Sequence, residues 1–386
     1  MITRRLQKDK DFQQFSEVSA SSFIHNSEET TFDENIDIFG AFINDGKTLI
    51  SQIECDCKEI WYCGKPIFCA AVGGVASKPE YRRSGGVRET FNAVFEHALN
   101  KGADISILYP FSSEYYRKFG YETIFRYIFA ECSFKTFEKI DRFSDVTLLT
   151  QDNKDIIEKI YNSVALKNNM MFARPGAKNF CTTPYKECTY TYFVNDGKSM
   201  GYVYLIPDRS KRTINVEEII FTDKIALKRL LGFLRTYDGN YDFVNFNKLP
   251  VNSPVFEIIS DENKLIKRSL FKGGAGRILN VENVLNATVY PKEKGEFSLK
   301  ITDKQIESNN GIFIVKYENG KGSVRKTTVG DYDISLDICG ASRIILGREG
   351  LSEEDINYIP NTQINSDCSD FLKAFPKATT IFYEDF

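Results

Sequence analysis

The 386-residue sequence predicts a mixed α+β protein of more than one domain. Its length allows two or three domains at roughly 150 residues each. Two stretches repeat the order strands, helix, strand. After about residue 275 the character changes, and further strand-like runs follow.

The first stretch begins with a meander. IFGAFINDGKTLISQIEC turns at Asn44-Asp45-Gly46, and EIWYCGKPIFCAAVGGVAS turns at Gly64-Lys65, so residues 38–77 read as antiparallel strands. From Gly86 to Asn100 the apolar residues Val87, Phe91, Val94, Phe95, Ala98 and Leu99 line one face of a helix, which Lys101-Gly102 ends. ISILYP (105–110) is a short buried strand, followed by a short helix broken at Gly120 and another strand. The second stretch has strands at 200–207 and 214–222, a helix over DKIALKRLLGFLRTY and a strand at YDFVNFNKL. In the third, GGAGRILNVENVL reads as a linker plus a short helix. FSLKIT, GIFIVKY, GSVRKTTV, DYDISLDI and ASRIILG read as strands of an α+β domain. Residues 351–386 carry seven acids and two bases, which reads as a solvated face.

Composition removes several function classes. The chain is 42% hydrophobic and 27% charged, with 31 Phe and 20 Tyr, so its cores are aromatic-rich. A net charge of −3 argues against a nucleic-acid partner. No apolar run approaches the roughly 18 residues of a membrane span. The polar start MITRRLQKDKDFQQF has no apolar core for a signal peptide, so a cytoplasmic protein is expected. With only two histidines, His25 and His97, a Ser-His-Asp triad or a His-rich metal site has little to draw on. The nine cysteines include Cys55, Cys57 and Cys63, whose spacing is not a CxxC pair; buried free thiols, and no metal, are expected.

The strongest chemical signal joins the third meander strand to the first helix: Val75-Ala76-Ser77-Lys78-Pro79-Glu80-Tyr81-Arg82-Arg83-Ser84-Gly85-Gly86-Val87-Arg88. Glycine lets backbone approach a phosphate without a Cβ clash. A helix start offers free N–H groups and the positive end of its dipole. With Lys78, Arg82, Arg83 and Arg88 alongside, the turn suits a pyrophosphate. It is neither a Walker loop nor a GxGxxG fingerprint. The second stretch has no comparable loop. A further signal is Tyr116-Arg117-Lys118-Phe119-Gly120-Tyr121. A phenol, with a reference pKa of about 10, stays protonated at neutral pH and can donate to a leaving group.

Arg82-Arg83-Ser84-Gly85-Gly86-Val87 after a strand resembles the acetyl-CoA motif R/Q-x-x-G-x-G/A of the GNAT superfamily of N-acetyltransferases. Arg82 and Gly85 match, and Val87 replaces the last small residue. The resemblance implies that Val75, Ala76 and Ser77 offer backbone hydrogen bonds to the pantetheine arm. It also implies that Tyr116 protonates the departing thiolate, with Tyr115 and Tyr109 as alternatives. The whole chain resembles the enhanced intracellular survival (Eis) family, which implies tandem GNAT-like domains plus a C-terminal sterol-carrier-protein-like domain. The corresponding boundaries are 1–145 for the acetyl-CoA-binding domain, 146–284 for a second without a cofactor loop and 285–386 for the last.

In that family the terminal Phe supplies its α-carboxylate as general base, which maps here onto Phe386. An α-carboxyl group is ionised at neutral pH and accepts a proton from an amine. Glu384 and Asp385 would add negative potential for a cationic substrate. The acids from Glu28-Glu29 to Asp37 are candidates for the pocket, or belong to a solvated loop.

The resemblance further implies acetyl-CoA as co-substrate and direct attack by primary amines of aminoglycoside-like, lysine or polyamine substrates. No cysteine or serine sits in a nucleophile motif. A homohexamer is implied as well. Two other classes stay open: a lipid- or hydrophobe-binding protein using the third domain, and an acyl-CoA sensor without turnover.

Overall fold

A computed structural model describes residues 1–23, 30–174, 189–259 and 265–384. It opens with strand β1 (Ile2–Arg5) and helix α1 (Lys8–Ala20), an element too polar to stand out in the sequence. Asp11 fixes its first turn by accepting from Gln7 N at 2.8 Å and from both terminal nitrogens of Arg4 at 2.7 Å. β2 (Asp37–Ile43), β3 (Thr48–Tyr62) and β4 (Lys65–Ser77) form the expected antiparallel meander. Its second turn lies one residue earlier than Gly64-Lys65. Tyr62 pairs with Lys65, leaving Cys63 and Gly64 as a two-residue loop with φ of +52° and +76°, the positive values that the right-handed strand twist favours.

α2 (Gly86–Asn100) occupies the predicted span and buries Phe91, Val94, Phe95 and Ala98. β5 (Ile105–Leu108) runs parallel to β4 through only three pairs, Cys69↔Ile105, Ala70↔Ser106 and Ala71↔Ile107. Beyond Ala71, β4 continues to Ser77 paired on its other side with β3 alone. The two parallel strands thus part, and one edge of β4 is left free. α3 (Ser113–Arg117) and β6 (Glu122–Thr123) follow.

The next segment builds a second seven-stranded sheet. It contains β7 (Arg126–Ser133), β8 (Thr147–Leu148), helix α4 (Asp155–Ala165), β9 (Tyr190–Asn195), β10 (Met200–Asp208), β11 (Thr213–Phe221), helix α5 (Lys224–Leu234), β12 (Phe243–Pro250), the short helix α6 (Val255–Ile258) and β13 (Ile266–Lys272). The strand order is β13-β7-β12-β11-β10-β9-β8. β11 and β12 are parallel through four pairs, Thr213↔Phe243 to Val216↔Phe246, and then part like β4 and β5.

The stretch read as a linker is a strand. β14 (Ala275–Ile278) lies inside the first sheet, whose order is β1-β2-β3-β4-β5-β14-β6. Its small residues look like a loop in sequence, yet they answer to crowding: a Cβ on Gly276 would lie 2.9 Å from Ile124 Cδ1. Then come α7 (Val281–Ala287), β15 (Gly295–Thr302), β16 (Gly311–Glu318), β17 (Lys321–Thr327), β18 (Ile334–Asp337), α8 (Ile338–Gly347), α9 (Glu353–Asn357), β19 (Gln363–Ile364) and α10 (Ser369–Ala374). They form a five-stranded sheet, β17-β16-β15-β18-β19, with helices. ASRIILG, expected as a strand, is the body of α8. Asp337 caps that helix by accepting from Gly340 N at 2.8 Å, and Ile338, Ala341, Ile344 and Ile345 share its buried side.

Two compact units result. One holds Met1–Ile124, Gly274–Ala378 and Glu384; the other holds Phe125–Gly273 and Thr379–Tyr383. The divisions between these units in the chain fall at 124/125 and 273/274. Hydrogen bonding draws β7 into the second sheet and β14 into the first.

β14 also carries the first unit's most buried charge. The side chains of Arg277 and Asp303 are each 0% exposed. Arg277 Nη2 donates to both carboxylate oxygens at 2.8 and 2.9 Å. Its Nη1 donates to Phe119 O at 2.6 Å and to Gln305 Oε1 at 3.0 Å. Removing one member of such a pair strands the other in a dry interior. Arg277→Met is expected to lower stability by about 3–5 kcal/mol in urea denaturation; a loss below about 1 kcal/mol would show that Asp303 does not depend on it.

Candidate active site

The turn after β4 is built from two different needs for glycine. Pro79–Tyr81 forms one 3-10 turn, and the chain then reverses through Arg83 at φ +67° and Gly85 at φ +94°. Gly85 caps α2 with no side chain, and a Cβ on it would meet nothing within 4 Å, so its requirement is conformational. Gly86 is a matter of space: a Cβ there would lie 2.9 Å from Ser51 Oγ and 3.0 Å from Ile50 Cδ1. The helix N-terminus is consequently open. Glu89 N bonds Gly85 O, while the N–H groups of Gly86, Val87 and Arg88 belong to the first turn, where no intrahelical acceptor exists. Ser84 is exposed, and its hydroxyl donates to Tyr81 O at 2.6 Å. Arg82, Arg83 and Arg88 are exposed and form no ion pair among the described residues. Lys78 differs from them, since its Nζ lies 3.3 Å from Glu17 Oε2.

The parting of β4 from β5 leads directly to this turn. Val75, Ala76 and Ser77 lie on the stretch of β4 that has lost its parallel neighbour. The backbone there is further bent by a bulge. Gln52 pairs with Ala76 and Glu54 with Gly73, so Gly74 and Val75 together oppose Ile53. Gly74 has φ +56°, and a Cβ on it would lie 2.5 Å from Glu54 Oε1.

The second unit has the same opening without the same turn. At the start of α5, Asp223 accepts from Ile225 N at 2.8 Å and Ala226 N at 2.9 Å. A carboxylate already occupies the place where an anion would bind. Beyond the last β11–β12 pair lies a cavity of about 250 Å³, lined by Ile219, Phe221, Leu249, Met171 and, from the C-terminal segment, Thr379 and Ile381. That segment is held by Asn169, whose N–H bonds Thr379 O at 2.8 Å and whose carbonyl accepts from Ile381 N at 3.1 Å.

Tyr116 lies on α3, whose end explains its motif. Gly120 N bonds Arg117 O at 3.0 Å and Tyr121 N bonds Tyr116 O at 3.2 Å, a Schellman closure with Gly120 at φ +81°. A Cβ on Gly120 would fall on Arg277 Nη1. Tyr116 is 4% exposed, packed by the rings of Phe91, Phe111, Tyr115 and Tyr121. Its hydroxyl has no hydrogen-bond partner among the described residues. Burial first, and Tyr115 second, push its pKa well above the ordinary tyrosine value. Tyr121 is committed elsewhere, sharing a 2.7 Å hydrogen bond with Ser106 Oγ. Tyr115 is partly exposed, and burial raises its pKa too.

The remaining candidates separate. His97 Nε2 and Asp37 Oδ2 lie 2.7 Å apart, and Arg5 also pairs with Asp37, so both serve the fold. Asp33 holds its own turn by accepting from Asn35 N at 2.9 Å. Cys55 and Cys57 Sγ atoms lie 3.8 Å apart on β3, and among the described residues no group of three His, Cys, Asp or Glu is placed to hold a metal. Glu384 falls with the first unit. Asp385, Phe386, His25 and Glu28-Glu29 lie outside the described residues. Gln52 and Glu54 alternate with Ile53 and Cys55, in sequence the pattern of a solvent-facing strand side.

Comparison with known families and structures follows this geometry. Residues 3–124 and 175–278 each match an acetyltransferase (GNAT) domain, and residues 281–354 match a sterol carrier protein domain. No curated protein matches the sequence. A GCN5-related N-acetyltransferase from Anabaena variabilis ATCC 29413 superposes with a TM-score of 0.85 at 20% identity, over 100% of both chains. A conserved protein of unknown function from Enterococcus faecalis V583, described as a probable N-acyltransferase, gives 0.83 at 19% identity over 100% of this chain and 99% of that one. Eis1 from Mycobacterium abscessus gives 0.80 at 17% identity over 100% of both. At these identities the structural likeness is one of fold. With acetyltransferase (GNAT) domains at residues 3–124 and 175–278 and a sterol carrier protein domain at 281–354, the chain is built as an acetyl-CoA-dependent N-acetyltransferase that shares its fold with Eis1.

Proposed function

We propose that the protein transfers the acetyl group of acetyl-CoA to primary amines of a cationic substrate, aminoglycoside-like or a lysine or polyamine, by direct attack in a ternary complex. The observation that carries this reading is the open start of α2 at Gly85-Gly86, flanked by Arg82 and Arg83, which form no ion pair among the described residues, at the end of a β4 edge that has parted from β5. Arg82, Arg83 and Arg88 offer charge to the pyrophosphate, and Ser84, Gly85, Gly86 and Val87 bring the backbone close to it. Val75, Ala76 and Ser77 offer β4 backbone groups to the pantetheine arm.

In the reaction, the amine lone pair attacks the thioester carbonyl carbon and the C–S bond breaks. Tyr116 gives its phenolic proton to the departing thiolate. Its raised pKa keeps it protonated through the neutral range, and its unengaged hydroxyl is available to donate. The terminal carboxylate of Phe386 takes the proton from the nitrogen, with Glu384 and Asp385 supplying negative potential. That assignment draws on the family resemblance and on the grouping of Glu384 with the first unit. A hexameric, cytoplasmic enzyme fits the same resemblance. The lipid-carrier alternative is less favoured, because the third domain's interior is filled by its own rings: Phe297, Phe371 and Phe375 pack with centroids 5.2–6.0 Å apart.

Incubation with acetyl-CoA and a panel of aminoglycosides and polyamines is expected to release free thiol; no turnover with any amine would reject the proposal. Tyr116→Phe is expected to lower kcat by about a hundredfold or more while acetyl-CoA affinity changes less than about twofold. An unchanged rate would move the acid role to another group. Adding two residues after Phe386 displaces the carboxylate and is expected to abolish turnover in a folded chain; a wild-type rate would discard the terminal base.

A further inference from the structure

Two polar side chains on β3 have no partner among the described residues, and they are neighbours on one face. Ser51 shares a 2.9 Å hydrogen bond with Thr90 of α2, and Ile53 and Cys55 join the core beneath α2. By strand alternation Gln52 and Glu54 point to the opposite face, which carries α1. Gln52 is fully buried, and neither its Nε2 nor its Oε1 has a partner. Glu54 is half-buried and makes no ion pair or hydrogen bond among the described residues. An unmatched buried amide and an unmatched carboxylate are both costly, and side by side they describe a place prepared for a polar group the chain does not supply.

Their place in the fold says which group. The β4 bulge brings Gly74 against Glu54, just past Ala71, the last β4 residue paired with β5. This is the root of the opening into which the acetyl donor would run. The cations around it are already engaged: Lys58 with Asp56, Lys78 with Glu17, Arg5 with Asp37. The nearby charge is Asp33, of the same sign. Burial, with a smaller contribution from Asp33, raises the Glu54 pKa, as expected for a carboxyl group lacking a counter-ion.

We infer that Glu54 and Gln52 form the acceptor subsite, Glu54 holding the ammonium of the incoming amine and Gln52 meeting a hydroxyl beside it. The inference rests on the acetyl-transfer reading above and gives it an amino-alcohol preference. Before attack the ammonium gives one proton to water, leaving the terminal carboxylate to take the second as the amide forms, so Glu54 binds and orients the acceptor.

The test is calorimetric titration of the CoA-loaded full chain with 1,3-diaminopropane and 1,3-diamino-2-propanol. Wild type is expected to bind the amino alcohol more tightly. Glu54→Gln keeps the side-chain shape and is expected to weaken both about tenfold or more, with acetyl-CoA affinity within about twofold. Gln52→Leu is expected to remove the difference between the two probes. Unchanged diamine affinity in Glu54→Gln overturns the ammonium role, and a retained difference in Gln52→Leu overturns the hydroxyl role. Should Glu54→Gln also lose acetyl-CoA, Glu54→Asp keeps the charge and is expected to bind the probes better than the Gln variant; equal affinity overturns the inference. Wild type that binds acetyl-CoA but no amine rejects the acceptor reading and the inference together. Wild type that acetylates amines, with Glu54→Gln binding them equally well, rejects the inference alone.

Discussion

The first unit is organised around the buried Arg277–Asp303 pair. A guanidinium at 0% exposure is tolerable only when its charge is paired, and the two terminal nitrogens of Arg277 are met from three directions: Asp303, Gln305 and the carbonyl of Phe119. Asp303 is satisfied in turn by Gln305 N, Ile306 N and Asn309 Nδ2 at 2.9–3.2 Å. The pair therefore ties β14, the loop after β15 and the end of α3 into one arrangement. Phe119 O belongs to the closure that places Tyr116, and Gly120 lacks a Cβ partly because Arg277 passes there. A buried ion pair adds little net stability over apolar packing, but it penalises every arrangement that leaves one charge alone. Here the penalised arrangements would shift the phenol.

The two α/β domains share an opening and differ at the helix start beside it. Each has a parallel strand pair that parts after a few residues and a helix following the longer strand. The difference lies in one helix cap. Gly85 leaves the N–H groups of α2 open, whereas the Asp223 carboxylate occupies those of α5. Two bonds of 2.8–2.9 Å from the domain's own acid serve the role that a phosphate would play. In the second domain the region beyond the parting strands also receives the chain's own segment at Thr379 and Ile381.

Local signals in the sequence were strong wherever local rules govern. The meander, α2 and the paired strands of the second domain follow from periodicity and turn residues, and Gly85-Gly86 and Gly120 mark their φ requirements openly. Where the reading failed, a distant partner had overruled the local pattern. α8 has the look of a strand because Ile344 and Ile345 are β-branched, but the Asp337 cap and a buried side at helical spacing decide otherwise. β14 looked like a linker because its glycines answer to Ile124 and its arginine to Asp303, neither of which is near in sequence.

The architecture class, the helix start suited to a pyrophosphate and the phenol on a Gly-closed turn are legible in the sequence, because each is written within a few residues. Only the tertiary structure decided which side chains are left wanting a partner. Gln52 and Glu54 have the alternation of a solvated strand face, and whether such a face meets water, α1 or a ligand depends on what the fold lays over it. The covering of Gln52 and the pressing of Gly74 against Glu54 are products of a bulge and a helix far apart in the chain. Polarity is a property of the residue, but an unmet hydrogen bond is a property of its surroundings.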